Sequence, residues 1–109
     1  MPKSYSPEFL QKLAKLKNDA FYKPGVKLAD VCVSANLPMV YVADTFKVSR
    51  MSVHSWFRGH YIREKNVNKI QKFIRIVKSD LDIGLLPAPN MNIAKHYLKN
   101  HIKDNLMNQ

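Results

Sequence analysis

The sequence predicts an all-α fold, a compact bundle of about five to six helices. Three observations lead to it. Apolar residues recur at spacings of three and four along most of the chain. Ser, Asn and Pro stand where helices would begin, and Gly or Pro-Gly where they would end. No stretch reads as a convincing strand. The chain has 109 residues, 46% of them hydrophobic. That is one domain's worth of chain with enough apolar material for a modest core.

Met1 to Tyr5 is expected to fray. Ser6-Pro7-Glu8 is a helix start: a capping hydroxyl, Pro at the first helical position and an acid in the first turn. That helix should run to about Phe21, with Phe9, Leu13, Leu16 and Ala20 on one face, Leu10 and Ala14 beside them, and Lys12, Lys15 and Lys17 on the wetter side. It reads as a packing helix with a solvated basic face, or else as an arm contacting a polyanion's backbone. Lys23-Pro24-Gly25 reads as a break. A second helix, Lys27 to Ala35, carries Leu28, Val31, Cys32 and Ala35 on one side, and Asn36-Leu37-Pro38 interrupts it. A third, Met39 to Phe46, opens after Pro38. Ser49 caps a fourth from Arg50 to about Arg58, and Gly59 suits the left-handed position that closes it. His60 to Arg63 leads out to a long helix, Lys65 to Leu81. Its stripe is Ile70, Phe73, Ile74, Val77 and Leu81, and its opposite face carries Lys65, Lys69, Lys72, Arg75 and Lys78. Leu85 to Pro89 is an extended connector, because each Pro disfavours helix in its predecessor. Asn90 caps a last helix to about Leu106, striped by Ala94, Leu98, Ile102 and Leu106, with Ile93 and Tyr97 beside the stripe.

The net charge is +10 and the pI near 9.9. A merely soluble surface does not need that imbalance; a polyanionic partner accounts for it, nucleic acid before anionic membrane or acidic protein. The charge is also concentrated. Between Lys47 and Lys78 there are nine cations and one acid, Glu64, which is +8 of the total. Lys95, Lys99 and Lys103 form a further row on the last helix that reads as a solvated face. The single cysteine, Cys32, excludes an intramolecular disulfide and sits in an apolar pattern as a small core residue. No signal peptide is visible, and no apolar run approaches the ~18 residues of a membrane helix. The expected location is the cytoplasm, on the nucleoid or in a host's cytoplasm.

The charge excess begins inside a distinctive stretch, Tyr41 to Gly59. Val42, Ala43 and Phe46 give its first helix one apolar face. In its second helix Val53, Trp56 and Phe57 form the apolar side, and Arg50, Met51, His54, Ser55 and Arg58 the other. This stretch resembles the helix-turn-helix domains of the phage-repressor and Cro type. Ala43 fills the small position where the two helices approach closely, Lys47 the turn, and Val53 and Trp56 the two buried positions of the second helix. Val48-Ser49-Arg50 matches the usual entry to that helix and Trp56-Phe57-Arg58-Gly59 the usual exit. One departure is Lys47, at a turn position most often held by Gly; a non-Gly residue at positive φ costs about 1 kcal/mol.

The resemblance implies a mode of action. Residues 1–84 would be the DNA-binding domain, and 85–109 a connector with a helix that dimerises or folds back. The helix Arg50–Arg58 would lie in the major groove. Arg50 would bridge O6 and N7 of a guanine, Met51 would meet a thymine methyl, and His54 and Ser55 would reach further base edges. His54 reads equally as an exposed side chain with no such role. Lys47, Ser49, Ser52, Arg58, Arg63, Lys65, Lys69 and Lys72 would contact phosphates, which position the domain without reading sequence.

No catalytic constellation, Gly-rich phosphate loop or metal-binding Cys/His spacing is present, so neither an enzyme nor a cofactor is expected. His96 and His101, five apart, should fall on different sides of the last helix. The leading expectation is a small phage-like transcriptional regulator that binds a two-fold DNA site as a homodimer. The alternatives are a DNA-recognition subunit of a packaging or replication complex, with the last helix binding a protein partner, and a basic protein that inhibits an acidic host partner. RNA is a weaker expectation, because no aromatic-studded sheet is apparent.

Overall fold

The computed structural model describes residues 5–20, 23–102 and 106. The described residues form six α-helices: α1 (Pro7–Ala20), α2 (Pro24–Ser34), α3 (Met39–Phe46), α4 (Arg50–Phe57), α5 (Glu64–Asp82) and α6 (Met91–Tyr97), which continues into a π-helical turn, Leu98–Ile102. No strand occurs among the described residues. The all-α bundle is therefore as the periodicity predicts.

Short polar side chains open three of the helices. The Phe9 amide donates to Ser6 Oγ at 3.1 Å, the Ser52 amide to Ser49 Oγ at 3.1 Å and the Ile93 amide to Asn90 Oδ1 at 2.9 Å. Each satisfies an amide the helix itself cannot use. Four helices end in one shared way. After α2, α3, α4 and α5 a residue at positive φ (Asn36 56°, Lys47 56°, Gly59 87°, Gly84 83°) turns the chain back. Its amide and the next donate to carbonyls of the last turn: Asn36 to Val33 and Leu37 to Cys32, Lys47 to Asp44 and Val48 to Ala43, Gly59 to Trp56 and His60 to Ser55, Gly84 to Leu81 and Leu85 to Asp80. This paired pattern satisfies carbonyls that would otherwise be orphaned and makes each connection tight.

Helix α2 is the centre of the bundle, packed against α1, α4 and α5. It begins three residues earlier than the pattern suggests. The break expected at Lys23-Pro24-Gly25 falls at Lys23, which is extended; Pro24-Gly25 is already the first turn of the helix, with Pro24 in the place where its missing amide does no harm. Gly25 is required by packing: a Cβ there would lie 1.9 Å from the Trp56 carbonyl oxygen. The backbones of α2 and α4 thus meet directly. Leu28, Ala29, Val31, Cys32 and Ala35 are buried behind this contact. Phe46 joins α3 to both neighbours, edge-on to Trp56 with ring centroids 5.7 Å apart and tilted against Phe73 of α5 at 5.2 Å. In α5 Ile70, Phe73 and Val77 are buried while Ile74 and Leu81 are half-buried, so the predicted stripe is deepest along Ile70, Phe73 and Val77.

Tyr5 is not frayed. Its hydroxyl donates to the Leu37 carbonyl at 2.6 Å, and its ring stacks on Phe9 at 5.1 Å. In α1 Leu13 is buried, Phe9, Leu10 and Leu16 are half-buried, and Ala14 is exposed rather than packed. The predicted end at Phe21 lies outside the described residues. The connector after α5 is tied down: the Ala88 amide donates to the Ala35 carbonyl at 3.0 Å, Asn36 Nδ2 donates back to the Ala88 carbonyl at 2.8 Å, and Leu86 and Ala88 are buried. Beyond it Ala94, Tyr97, Leu98, Ile102 and Leu106 are buried within the same chain, with the π-helical turn against α3. The last helix is thus not continuous α-helix from Asn90: its α-helical part stops at Tyr97. Lys95 Nζ lies 5.8 Å from the centre of the Tyr41 ring, a cation–π contact rather than plain solvation; Lys103 lies outside the described residues.

Candidate nucleic-acid interface

Helices α3 and α4 are joined by Lys47-Val48-Ser49, with Lys47 in the left-handed conformation (φ 56°, ψ 46°) and Ser49 extended. Glycine normally avoids the strain of that turn; here a lysine bears it. Ala43, Val53 and Trp56 are all buried between the helices and the core. With Val53, Trp56 and Phe57 facing inward, the remaining face of α4 is turned out. Arg50 and His54 are exposed and Met51 is 82% exposed. Met51 and Val40 (40% exposed) border a shallow depression with Arg50 and His54, an apolar spot beside a guanidinium and an imidazole.

Two larger grooves flank α4. The first, about 700 Å³, lies between α4 and the start of α5. Lys47, Arg63, Lys65 and Lys69 line it with Ser52 and Tyr61, and no acid is among its lining residues. The second, about 730 Å³, lies between α4 and α1, and its cations are Lys12, Lys15 and Arg58. His54 and His60 border it, and Glu8 and Asp19 share it, so its field is weaker. The structure thus brings Lys47, Arg63, Lys65 and Lys69 together on one side of α4 and sets Arg58 on the other. Lys72, one turn beyond Lys69, is half-buried on α5 and outside both grooves.

The hydroxyl-bearing residues are partly engaged. Ser49 Oγ accepts the Ser52 amide and lies 3.0 Å from Ser52 Oγ. Ser55 is half-buried, with its Oγ 3.2 Å from His60 Nδ1, so it points toward the loop that leaves α4 rather than outward with Arg50. Three residues of the grooves were not legible as such. Lys12 and Lys15 belong to a helix forty residues away in sequence, and only the fold sets them beside α4. Nothing in the pattern marks Tyr61, which is 86% exposed on the rim of the first groove.

Among the described residues no group of three His, Cys, Asp or Glu side chains could hold a metal ion, and no helix is long and apolar enough to cross a membrane. Cys32 is fully buried, which pushes its thiol pKa well up, and an inert core residue results. The chain matches no family model, no curated protein and no solved structure.

Proposed function

We propose that this protein binds double-stranded DNA sequence-specifically, as a small regulator of the phage-repressor kind, by placing α4 in the major groove. The observation that supports this most is the division of α4. Its inner side is locked into the core through Val53, Trp56 and Phe57, and its outer side presents Arg50, Met51 and His54 between two cation-lined grooves. The major groove admits one helix, and phosphate strands run on either side of it. Eight residues make a helix about 12 Å long, enough to pass about three base pairs. Arg50 at the first turn of α4 is placed to read guanine, with Met51 beside it for a thymine methyl. One such module buries little DNA surface, so two copies on a two-fold site complete the reading. The stripe of the last helix is buried in its own chain, so the second copy meets this one on another face.

Selection of sites from random duplexes tests the proposal. A two-fold-symmetric enriched sequence is expected; no enrichment would move the protein to a sequence-independent task within a larger assembly. On the selected site, Arg50→Ala should cost about 1–3 kcal/mol and relax preference at one base pair. Unchanged preference would remove α4 from the groove.

A further inference from the structure

The groove between α4 and α5 contains one residue that a pure phosphate clamp does not need. Among the described residues Tyr61 is the most exposed of the large apolar side chains, at 86%. It is not on a loose loop. Upstream, the Gly59 and His60 amides close the end of α4, and Lys23 Nζ donates to the Gly59 carbonyl at 3.1 Å. Downstream, Ile62 is buried and Arg63 caps α5, its carbonyl accepting the Asn66 and Val67 amides. With Ile62 turned in, its neighbours Tyr61 and Arg63 turn out. An aromatic ring is therefore held in water on a fixed backbone, on a rim it shares with Arg63, Lys65 and Lys69.

Exposing such a ring forgoes burial of its apolar surface. Against intact duplex it gains little, because stacked bases hide their faces and a backbone groove offers only sugar and phosphate. Against an unpaired base it gains a stacking partner. A cationic track with an aromatic platform is the general solution for holding single-stranded nucleic acid. We infer that Tyr61 is a stacking platform for an unpaired base, so that the strand whose phosphates follow Lys47, Arg63, Lys65 and Lys69 continues past the end of the duplex on α4 as a single-stranded segment. This rests on the duplex reading above for where the strand comes from. It goes further, since the preferred ligand becomes a duplex with a single-stranded extension.

The test compares three labelled DNAs by fluorescence anisotropy: a blunt hairpin duplex and the same hairpin with a short oligo-thymidine overhang at its 5′ or its 3′ end. The overhang of one polarity should tighten binding by roughly five- to a hundredfold, the worth of one stacked base. Tyr61→Ala should abolish that gain, so that overhung and blunt DNA are bound alike. Tyr61→Phe should keep the gain, which separates stacking from a hydroxyl–phosphate hydrogen bond. A fluorescent purine in the overhang should be quenched by wild type and by Tyr61→Phe, and not by Tyr61→Ala. Equal affinity for blunt and overhung DNA overturns the inference and leaves the duplex reading standing. So does a gain that survives Tyr61→Ala. Failure to bind the blunt hairpin counts instead against the duplex reading, while Tyr61-dependent quenching on the overhang strand alone still supports the inference.

Discussion

Lys47 is where local stability and surface charge pull apart. The four helix ends that share one turn place Asn36, Lys47, Gly59 and Gly84 at the left-handed position. Asn and Gly tolerate that conformation at little cost; a lysine gives up about 1 kcal/mol. The one expensive residue is also the one that lines the groove beside α4. A local rule broken at a surface site is the pattern expected where another demand prevails. Lys47→Gly isolates that demand. Relief of strain is offset by the greater freedom of glycine in the unfolded chain, about 0.5–1 kcal/mol. Stability in urea titrations should therefore stay within about 1 kcal/mol of wild type. Affinity for duplex DNA should fall, and the salt dependence should lose about one unit of slope. A stability loss well beyond that range would mean that the lysine side chain is part of the fold.

Among the elements, the C-terminal segment holds on to α5 through a polar cluster that the sequence pattern conceals. Asp80 follows a helix face rich in cations and would pass for a solvated acid, yet it is only 7% exposed. It accepts a short hydrogen bond from the Tyr97 hydroxyl, and His101 Nε2 lies 3.1 Å from the same carboxylate oxygen. Burial first, then the hydrogen bond and the charge of Asp80, raise the Tyr97 phenol well above its usual value. Burial, and secondarily Cys32, raise Tyr5 in the same direction. Cys32 is raised by burial alone. All three groups are thus held protonated in the folded chain and ionise more easily once unfolded. Their contribution is complete below the unfolded-state values, about 8.5–10, and is lost as pH rises through the higher folded values. Thermal midpoints followed by circular dichroism should be level to about pH 8.5 and fall above it. Tyr97→Phe should lower stability at neutral pH by about 1–3 kcal/mol, since it strips a donor from a buried carboxylate, and should flatten the alkaline decline.

The same elements show what can be read ahead of a structure. Helices α3 and α4 were legible to the residue or nearly so, because Pro38, Ser49 and Gly59 are local signals acting on their own neighbours. The start of α2 was not. Pro24-Gly25 has the local meaning of a break, and only the approach of the Trp56 carbonyl reveals why glycine stands inside a helix. The burial of Asp80 and the position of Tyr61 on a groove depend on residues distant in sequence. The outward side chains of α4 could be named from helical spacing alone. The grooves beside it could not, since α1, α4 and α5 each supply part of them.

At the scale of the whole molecule seven of the cations form two tracks, one on either side of α4. Lys47, Arg63, Lys65 and Lys69 form the stronger track; Lys12, Lys15 and Arg58 form the weaker one, diluted by Glu8 and Asp19. In the proposed complex each track follows one phosphate strand. Neutralising about seven phosphates gives a plot of log affinity against log salt with a slope on the order of −6. The two tracks can be weighed separately. Lys69→Ala should reduce the slope by about 1 and weaken all sequences alike, because a phosphate contact carries no base information. Lys12→Ala should do the same to a smaller extent if α1 touches the second strand. A slope near −4, unaffected by Lys12→Ala, would confine the backbone contacts to the α4–α5 side. The basic face of α1 would then be ordinary solvated surface. In either case the base preference should be untouched by both lysine variants and altered by Arg50→Ala, so the salt titration and the specificity assay separate the residues that hold the duplex from those that read it.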